Sequence, residues 1–493
     1  MRILQIASEM APLAKVGGLA DVILGLSREL IAMGHEVSIM IPKYDCLDYT
    51  AIKDLKILET NVKSVYKKEA YQNTIWTGFY DSIPIYLVDP HHPYDFFRRN
   101  CFYGCEDDMD RFLSFSRASL DFILKSSLNP DVIHLHDWQT AAIAPLVKIL
   151  FPKNTFKIVH TIHNLEYQGK CAPFNLDWIG LKGKALLDPE KMGDPHSKNL
   201  NNLLKGAIVY SDYLTTVSPN YAWEVTTPEG GRGLDPFLRK YIFKFEGVLN
   251  GLDYSYWDPQ VDCYLLAHYS SREHPTSKRD RSTLDKKEII KASLRERLQL
   301  DPAKKPIVGC VARLVPQKGI DLIKHALERT LEKGGQFVLL GTSPIPSITA
   351  DFHDLKIKYL NNPNVHLVLH HQEELAHQIY AGSDIFIVPS LFEPCGLTQL
   401  ISLRYGTIPV VRKTGGLADT IADIDFSLKP IAVRNGFVFD FPDAIGLDSA
   451  LDRALNMWFN DQEKWHKLMI QGMNMDFSWN EPAEKYVDIY KRA

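Results

Sequence analysis

Short runs of consecutive apolar residues alternate with longer segments in which apolar residues recur at helical spacing. The short runs lie at residues 3–7, 36–41, 85–88, 132–135 and 157–161, and again at residues 306–312, 336–340, 365–369, 385–389 and 408–412. Apolar residues at successive positions are typical of parallel strands that are buried on both faces. Among the longer segments, residues 19–33 have helical spacing that stops at Gly34, a residue that favours helix termination. Repeated strand and helix units therefore predict the α/β class, with doubly wound parallel sheets.

These strand and helix units fall into two series. Residues 270–287 are polar and charged and almost free of large apolar side chains, which predicts an exposed connection or surface loop. A second α/β series begins near residue 306, and a chain of 493 residues is too long for a single hydrophobic core. We therefore predict two domains, residues 1–250 and 251–475, with a hinge near residues 248–258.

Composition and charge narrow the classes of function. The formal net charge of −4 gives no reason to expect nucleic acid or a membrane surface as a partner. No apolar run approaches the roughly 20 residues of a membrane helix, and the first one is too short for a signal peptide. The seven cysteines fit no zinc or disulfide framework; Cys101 and Cys105 are close, but no second pair completes a metal cage. These observations predict a cytoplasmic protein.

One sequence pattern occurs in both series. Residues 15–22 read KVGGLADV and residues 413–420 read KTGGLADT. In each case a Gly-Gly turn follows a strand and opens a helix, and backbone N–H groups at a helix start can bind an anion or a sugar hydroxyl. Two ordinary tight turns are the alternative interpretation. The lysine ahead of the glycines favours a binding role, so Lys15, Gly17 and Gly18 are candidate phosphate-binding residues.

Two further candidate sites follow predicted strands of the second series. In VARLVPQKG, Arg313 and Lys318 lie on the loop after a strand, where two cations can bind a diphosphate. In EPCGLTQL, Glu393 precedes a predicted turn and helix start, an arrangement suited to sugar hydroxyls and phosphate oxygens together. Solvated basic residues and an ordinary turn are the alternatives. No G-x-G-x-x-G pattern follows the first strand, which disfavours a nicotinamide-dependent dehydrogenase.

A histidine-rich pair of predicted strand ends completes the candidate chemistry. His134 and His136 have a spacing that a metal site could use, but strand histidines are more often core residues, and no carboxylate and histidine set with fitting spacing accompanies them. At the same strand ends, Asp137 and His163 can hydrogen-bond a sugar, and Trp138 can stack on a pyranose ring.

Together these motifs resemble the bacterial glycogen synthases and plant starch synthases, which form glycosyltransferase family five and have the GT-B fold. The resemblance covers nearly the whole chain, through ILQIASEMAPLAKVGGLADV, HLHDWQTA, HTIHNLEYQG, TVSPNYAWEV, GVLNGLDYSYWDP, GCVARLVPQKGIDLI, PSLFEPCGLTQL, KTGGLADT and FSWNEPAEKY. It implies two Rossmann-like domains with an interdomain cleft, the first on the acceptor side and the second binding the nucleotide sugar. It also implies that residues 476–493 cross back to the first domain.

The resemblance also implies an activity and a set of site residues. The activity is transfer of glucose from a sugar nucleotide, usually ADP-glucose, to the non-reducing end of an α-1,4-glucan, with no cofactor and no required metal. The implied catalytic residues are His163, Asp137, Glu393, Arg313 and Lys318. The implied donor-binding residues are Lys15, Gly17, Gly18, Arg313, Lys318, Glu393, Cys395, Gly396, Leu397 and Thr398. The implied acceptor-binding residues are Glu9, Asp21, Trp138 and Asn164.

One departure from the family pattern bears on the donor. Where the family shows Gly-Tyr, a variable residue and Glu, this chain has His370, His371, Gln372 and Glu373. In the family, the tyrosine at this position is associated with the nucleobase of the donor. Because this chain lacks it, both ADP-glucose and UDP-glucose stay open as donors. The sequence also leaves open whether the product is glycogen or starch, and whether the chain forms a homo-oligomer.

The mechanism that these residues suggest is retaining transfer with attack from the face that the diphosphate leaves. Ile401 stands eight residues beyond Glu393, so the paired carboxylates of a double displacement are incomplete. Two other functions stay open: a catalytically silent glucan-binding protein of the same fold, and a metal-dependent hydrolase using the histidines. The basic residues disfavour the first, because glucan binding alone requires no cations for a diphosphate.

Overall fold

The computed structural model describes residues 1–271 and 283–493. These residues divide into two compact units. Unit 1 comprises Met1–Gly251 together with Trp479–Ala493, and unit 2 comprises Leu252–Ser478. The sequence-based boundaries lay after residue 250 and before residue 476, so they differ from this division by only a few residues at each junction.

Both units are built from β-strands and α-helices that alternate along much of the chain. The strands are β1 (Arg2–Ile6), β2 (Glu36–Pro42), β3 (Lys53–Tyr66), β4 (Glu69–Tyr80), β5 (Ile83–Pro90), β6 (Val132–His136), β7 (Lys157–Ile162), β8 (Lys170–Cys171), β9 (Asn201–Asn202), β10 (Tyr213–Thr216), β11 (Phe245–Gly247), β12 (Ile307–Arg313), β13 (Gln336–Thr342), β14 (Val365–Val368), β15 (Ile385–Val388), β16 (Ile408–Arg412) and β17 (Phe437–Phe439). The helices are α1 (Gly18–Ala32), α2 (Asp108–Lys125), α3 (Asp137–Ala141), α4 (Ile143–Leu150), α5 (Pro173–Trp178), α6 (Leu203–Tyr210), α7 (Pro219–Glu224), α8 (Asp235–Lys240), α9 (Thr283–Leu298), α10 (Ile320–Glu332), α11 (Pro346–Lys358), α12 (Glu373–Gly382), α13 (Thr398–Arg404), α14 (Gly415–Thr420), α15 (Ala444–Asn460), α16 (Gln462–Met473) and α17 (Asn480–Arg492).

Unit 1 is organised around a nine-stranded sheet in the order β11-β10-β7-β6-β1-β2-β5-β4-β3. Its strands are parallel from β11 to β5, whereas β4 runs antiparallel to β5 and to β3. The chain adds strands on one side of β1 and then returns to add β6 on the other side. In open parallel sheets ligands bind beyond the carboxyl ends of the strands at such a switch in strand order.

The last helix, α17, belongs to unit 1 and completes its core. Trp479, just before α17, packs against α1, and a Cβ atom on Gly25 would lie 2.1 Å from its indole nitrogen. Tyr486 and Tyr490 are buried in the same apolar cluster as residues of β1 and α1. Residues 479–493 are thus held in unit 1 by apolar burial, the main favourable term in folding.

Unit 2 has a six-stranded sheet in the order β14-β13-β12-β15-β16-β17, and every pairing in it is parallel. Its strand order switches between β12 and β15. Apolar residues of the strands and of the helices that cover them form the buried clusters of this unit. The carboxyl ends of β12, β15 and β16 are therefore neighbours at one edge of the sheet.

The α/β prediction with two doubly wound domains is confirmed, and each of the ten predicted strands overlaps an observed one. The predicted helix at residues 19–33 is α1, and Gly34 after it has φ +86°. The sequence analysis missed β3 and β4, a long hairpin at the edge of the sheet. Most of β3 is exposed, so it lacks the continuous apolar run of a buried strand.

The polar segment at residues 270–287 needs a correction. Most of it, residues 272–282, lies outside the described residues, but its last residues belong to α9. Lys287, expected on an exposed connection, is only partly exposed, and its ammonium group donates hydrogen bonds to the carbonyl oxygens of Ala381 and Tyr405 at 2.6 and 2.9 Å. Within residues 1–271 and 283–493, no helix combines the length and apolar character needed to cross a bilayer.

Candidate active site

In unit 1, the predicted site residues follow three neighbouring strands. The segment containing Lys15 follows β1, Asp137 follows β6, and His163 follows β7. Because parallel strands end at the same edge of a sheet, residues far apart in sequence come together at the switch in strand order. This edge carries the candidate site residues of unit 1.

Glu9 organises the segment that contains Lys15. Its Oε2 accepts hydrogen bonds from the backbone N–H groups of Val16 and Gly17, both at 2.9 Å, and its Oε1 accepts one from the Tyr103 hydroxyl at 2.7 Å. Glu9 is 5% exposed. Hydrogen bonds to a buried carboxylate are charge-assisted and therefore strong. These contacts position the Lys15 segment, and the acceptor contact that we expect of Glu9 stays a prediction.

The Lys15 ammonium group lies 3.0 Å from an oxygen of Asp21, and both side chains are partly exposed. The negative charge of Asp21 therefore partly neutralises the positive charge of Lys15 in this segment. These contacts do not bear on the acceptor-binding role predicted for Asp21. Gly17 lies in extended backbone at φ −150°, and a Cβ added there would meet nothing within 4 Å. The internal packing of the protein does not require glycine at this position.

Asp137 ties the end of β6 to the end of β7. Its Oδ1 accepts hydrogen bonds from the backbone N–H groups of His163 at 2.7 Å and Asn164 at 3.3 Å. Asp137 adopts φ +54°, an uncommon conformation for a residue with a side chain. Burial raises the pKa of its carboxyl group to about 7, although the two backbone hydrogen bonds oppose the shift. The carboxyl group thus acts on the backbone that carries His163 and Asn164.

His163 is the end of a buried chain of hydrogen bonds. Its Nε2 lies 3.0 Å from Nδ1 of His136, whose Nε2 lies 2.7 Å from Oε1 of Gln5. With the Gln5 carbonyl oxygen accepting from His136, His136 Nδ1 accepts the proton of His163 Nε2, which leaves His163 Nδ1 as an acceptor. Burial lowers the pKa of His163 to about 3, so the ring is neutral.

Trp138 and Asn164 are only partly exposed. The Trp138 ring packs edge-to-face on Phe112, with ring centroids 5.5 Å apart, and a Cβ on Gly169 would lie 2.7 Å from the indole. Asn164 accepts a hydrogen bond from the backbone N–H of Glu166 at 3.0 Å. Trp138 is therefore largely a packing residue, and stacking of this ring on a sugar stays a prediction.

In unit 2, the ammonium group of Lys318 contacts the carboxylate of Glu393. Lys318 Nζ lies 2.5 Å from Glu393 Oε2, which also accepts a hydrogen bond from the Ser390 hydroxyl at 2.8 Å. The side chains of Lys318 and Glu393 are 20% and 8% exposed. An ion pair shielded this far from water is stronger than a surface pair.

The backbone around this ion pair is cross-linked between the loops that follow β12 and β15. The N–H of Leu391 donates to the carbonyl oxygen of Gln317 at 2.8 Å, and the Gln317 side chain donates to the Phe392 carbonyl oxygen at 3.2 Å. Gly319 has φ +71°, and a Cβ there would lie 2.2 Å from the carbonyl oxygen of Pro389. The two loops therefore pack too closely to admit a side chain at Gly319.

Arg313, the last residue of β12, is exposed. Among the described residues no ion pair or hydrogen bond of its guanidinium group is recorded. Its planar, permanently charged group is well suited to bidentate contacts with phosphate oxygens. The candidate site residues of unit 2 thus combine an exposed cation with a shielded ion pair at the end of neighbouring strands.

Residues Cys395–Thr398 form the turn that leads into α13. Gly396 has φ +74°, a left-handed conformation that favours glycine. The Gln399 side chain closes the turn by donating to the carbonyl oxygens of Gly396 and Cys395 at 2.7 and 3.2 Å. Cys395 is buried, whereas Gly396, Leu397 and Thr398 are partly exposed. The exposed part of the turn begins at Gly396, three residues after Glu393.

The second Gly-Gly turn differs from the first. A Cβ on Gly415 would lie 1.9 Å from the carbonyl oxygen of Glu393, and a Cβ on Gly416 would lie 2.1 Å from that of Cys395. Gly416 N–H donates to the Glu393 carbonyl oxygen at 3.0 Å. These glycines are required because their backbone supports the Glu393 turn. Packing alone thus accounts for the second pair of glycines, and a binding role for that turn stays a prediction.

The histidines of β6 have partners within the protein. His134 contacts the Tyr490 hydroxyl through Nδ1 at 2.8 Å and the Thr161 hydroxyl through Nε2 at 2.6 Å. Among the described residues no group of three or more histidine, cysteine or acidic side chains is arranged to hold a metal ion. The core interpretation of His134 agrees with these contacts, and the hydrolase alternative gains no support from them.

Comparison with known proteins shows the family. The family model described as starch synthase catalytic domain matches residues 2–240, and the model described as glycosyl transferases group 1 matches residues 294–470. A glycogen synthase of Protochlamydia amoebophila (strain UWE25) is 59% identical over 494 aligned residues, covering 100% of this chain and 99% of that protein. The chain belongs to the glycogen and starch synthase family.

Two further comparisons fit this family. Glycogen synthase 1 of Nitrosococcus oceani is 43% identical and covers 99% of both chains. The solved catalytic domain of starch synthase IV from Arabidopsis thaliana, bound to ADP and acarbose, is 46% identical, covers 100% of this chain and 99% of its own, and superposes with a TM-score of 0.95. The chain is therefore a glycosyltransferase with the GT-B fold of its family.

Several residues of this glycosyltransferase that shape the site were missed by sequence reasoning. Ser390 contacts Glu393, Tyr103 contacts Glu9, and Gln5 ends the histidine chain behind His163. Gln5 carried a signal, since it is a polar residue inside the apolar run of β1, and a buried polar group needs a partner. Tyr103 carried none, because it lies in a loop far from Glu9 in sequence.

Proposed function

We propose that this glycosyltransferase extends α-1,4-glucan by retaining transfer of glucose from ADP-glucose to the non-reducing end of the chain. The observation that carries the proposal is the unit 2 cluster, in which exposed Arg313 accompanies the shielded pair of Lys318 and Glu393. Support comes from relatives named as glycogen synthases and from a full-length structural match to a starch synthase domain bound to ADP and acarbose.

The donor contacts that we propose in unit 2 are of two kinds, charged contacts with the diphosphate and hydrogen bonds with the glucose. Arg313 and Lys318 bind the diphosphate, because cations preorganised near a leaving group stabilise its developing charge. Glu393 holds hydroxyl groups of the transferred glucose while its ion pair keeps Lys318 in place. The backbone and side chains of Cys395, Gly396, Leu397 and Thr398 complete the donor site, with the partly exposed members of the turn nearest the ligand.

In unit 1 we propose that Lys15 and the Gly17-Gly18 turn contact the donor phosphates. The open space at Gly17 supports this role, since glycine there leaves room for close approach of a ligand. His163, neutral and with Nδ1 free of recorded hydrogen bonds among the described residues, accepts from a sugar hydroxyl. Asp137 positions His163 and Asn164, and Trp138 and Asn164 bind the acceptor.

The proposed mechanism is attack by the acceptor hydroxyl on the face from which the diphosphate departs. Departure is favoured by the charges of Arg313 and Lys318, and in this proposal the leaving phosphate oxygen takes the proton of the acceptor hydroxyl. A double displacement would need a carboxylate free to attack, but Glu393 accepts hydrogen bonds from Lys318 and Ser390. Ile401 is buried and offers no second carboxylate. Front-face transfer therefore fits these residues better.

The decisive experiment compares incorporation of labelled glucose into glycogen from ADP-glucose and from UDP-glucose, with and without a chelator. We expect incorporation from ADP-glucose with release of ADP, no loss with chelator, and a product that an α-1,4-specific amylase digests. A matched pair of variants, Lys318→Ala and Lys324→Ala, separates the site from the surface of unit 2. Glucan binding without transfer from either donor would indicate a silent glucan-binding protein instead.

His371 stands where the family has the tyrosine associated with the nucleobase. It is 71% exposed at its side chain and lies 3.5 Å from Glu373, which accepts a hydrogen bond from the Tyr256 hydroxyl at 2.7 Å. The imidazole can stack on a base as an aromatic ring does. We propose ADP-glucose as the preferred donor, and a greater rate with UDP-glucose in the same assay would overturn that preference.

We also propose a cytoplasmic location, which the seven free thiols support.

A further inference from the structure

Two thiols lie next to each other in the loop between β5 and α2. The Sγ atoms of Cys101 and Cys105 are 3.2 Å apart, and both residues are partly exposed. All seven cysteines of the chain are free thiols. The other thiols lack this arrangement in the recorded contacts of the described residues, so Cys101 and Cys105 are the thiols closest to the geometry of a disulfide.

A cation lies beside this thiol pair. The Arg99 guanidinium group forms hydrogen bonds to both carboxylate oxygens of Asp107, at 2.5 and 2.8 Å. The pKa of Arg99 is raised, chiefly by the hydrogen bond to Asp107 and in smaller part by a hydrogen bond to the Cys105 thiol. The Arg99 guanidinium group therefore lies within hydrogen-bonding reach of the Cys105 thiol.

The same loop is connected to the Lys15 segment. Tyr103 lies between the two cysteines in sequence, and its hydroxyl contacts the carboxylate of Glu9 and the hydroxyl of Ser8, both at 2.7 Å. Glu9 in turn accepts the backbone N–H groups of Val16 and Gly17. A displacement of Tyr103 is therefore transmitted to the Lys15 segment through one carboxylate.

We propose that Cys101 and Cys105 are an oxidation site at which a peroxide forms an intramolecular disulfide, and that this bond weakens donor binding through Tyr103 and Glu9. The Cys105 thiolate attacks one oxygen of hydrogen peroxide, forming a sulfenic acid and releasing hydroxide. The Cys101 thiol then displaces the sulfenic oxygen as water. Two thiols and one peroxide give one disulfide and two water molecules, with two electrons passing from sulfur to oxygen.

The structural consequence follows from the distances. A disulfide bond is about 2.05 Å long. The sulfur atoms must therefore approach by 3.2 − 2.05, or about 1.2 Å, within a five-residue loop that contains Tyr103. Tyr103 is held by two hydrogen bonds whose geometry tolerates only a few tenths of an ångström. We expect the closed loop to break the contact with Glu9.

The first measurement detects the bond itself and does not depend on the proposed function. The full-length protein is treated with hydrogen peroxide, remaining thiols are alkylated, and the intact mass and proteolytic peptides are analysed. We expect loss of two hydrogen atoms and a cross-link between residues 101 and 105, restored by dithiothreitol. Cys101→Ser and Cys105→Ser abolish the cross-link, whereas Cys263→Ser, at an exposed thiol outside the loop, leaves it. Absence of the cross-link in the parent would overturn the proposal.

The second measurement tests the coupling, which rests on the proposed function. Oxidised protein is expected to show a KM for ADP-glucose raised about three- to tenfold, the range that corresponds to the loss of one ordinary hydrogen bond. Cys101→Ser, a conservative change at a thiol outside the proposed substrate contacts, is expected to keep the parental KM and to lose its response to peroxide. A cross-linked protein with unchanged KM would overturn the coupling. A cross-linked protein whose reduced form transfers no glucose would instead refute the proposed function.

Discussion

The ion pair between Lys318 and Glu393 leads to a prediction in which two substitutions act in opposite directions. Lys318→Ala removes a cation proposed to bind the diphosphate. Glu393→Gln removes the negative charge that balances this cation. We therefore expect Lys318→Ala to weaken ADP binding and Glu393→Gln to strengthen it, although both lower the rate of glucose transfer. If the two variants change ADP binding in opposite directions while both lower the rate of glucose transfer, the effects come from the charges of the pair. General damage to the fold would weaken ADP binding in both variants.

The magnitudes follow from the geometry of the pair. At 2.5 Å and an effective dielectric constant of about 20, the Coulomb attraction is about 7 kcal/mol before the cost of desolvation is subtracted. Because breaking a buried pair leaves a charge uncompensated at a cost of about 3–5 kcal/mol, and Lys318 is partly exposed, we expect Lys318→Ala to lower the free energy of unfolding by about 2–3 kcal/mol. Loss of a cation aimed at a leaving group is expected to lower kcat by about 100- to 1000-fold.

The effect on ADP is smaller, because the charge removed by Glu393→Gln does not contact the diphosphate directly. A change of about 1 kcal/mol corresponds to about fivefold tighter binding of ADP. Isothermal titration of ADP and steady-state transfer kinetics measure both quantities. Lys324→Ala, which breaks an exposed ion pair with Asp351 in the same unit, is the control and is expected to change neither. Weaker ADP binding in both site variants, or near-parental transfer in Lys318→Ala, would refute the reasoning.

Two further predictions test the glycine turns and the buried carboxyl group. Gly416→Ala places a Cβ 2.1 Å from a backbone oxygen and is expected to lower the thermal midpoint clearly, whereas Gly17→Ala is expected to leave the midpoint unchanged and to raise the KM for the donor; a normal donor KM in Gly17→Ala would contradict the proposed close approach. Since burial raises the pKa of Asp137 to about 7, the folded state binds more protons than the unfolded state between pH of about 4 and 7, and stability falls as pH rises through that window. The thermal midpoint of Asp137→Asn minus that of the parent should therefore increase from pH of about 5 to about 8, and a difference that does not change with pH would argue against the raised pKa.

The fold could be predicted because parallel strands buried on both faces leave a strong signal in the sequence. The run at residues 408–412, for example, is the strand β16. The hairpin of β3 and β4 could not be predicted in the same way. Its strands lie at the edge of the sheet and are largely exposed in β3, so the hydrophobic pattern that identifies buried strands is absent there.

The residues of the candidate site could be selected from the sequence, but the contacts between them could not be predicted. Arg313, Lys318 and Glu393 could be selected because they end or follow strands whose carboxyl ends meet at one edge of a parallel sheet. The ion pair of Lys318 with Glu393 joins residues 75 positions apart, and no local pattern identifies such a pair. Glu9 shows the same limit, since its role depends on backbone N–H groups and on the loop that carries Tyr103.

The two Gly-Gly turns show how one sequence pattern acquires two functions. In unit 1, the carboxylate of Glu9 accepts the backbone N–H groups of the turn, and Gly17 has open space beside it. In unit 2, the corresponding turn donates from Gly416 to the backbone carbonyl oxygen of Glu393. The side chain of Glu393 is thereby left to contact Lys318. The backbone support in unit 2 thus comes from the Glu393 carbonyl oxygen, whereas the Glu393 carboxylate contacts Lys318 and Ser390, where we propose that it meets the donor.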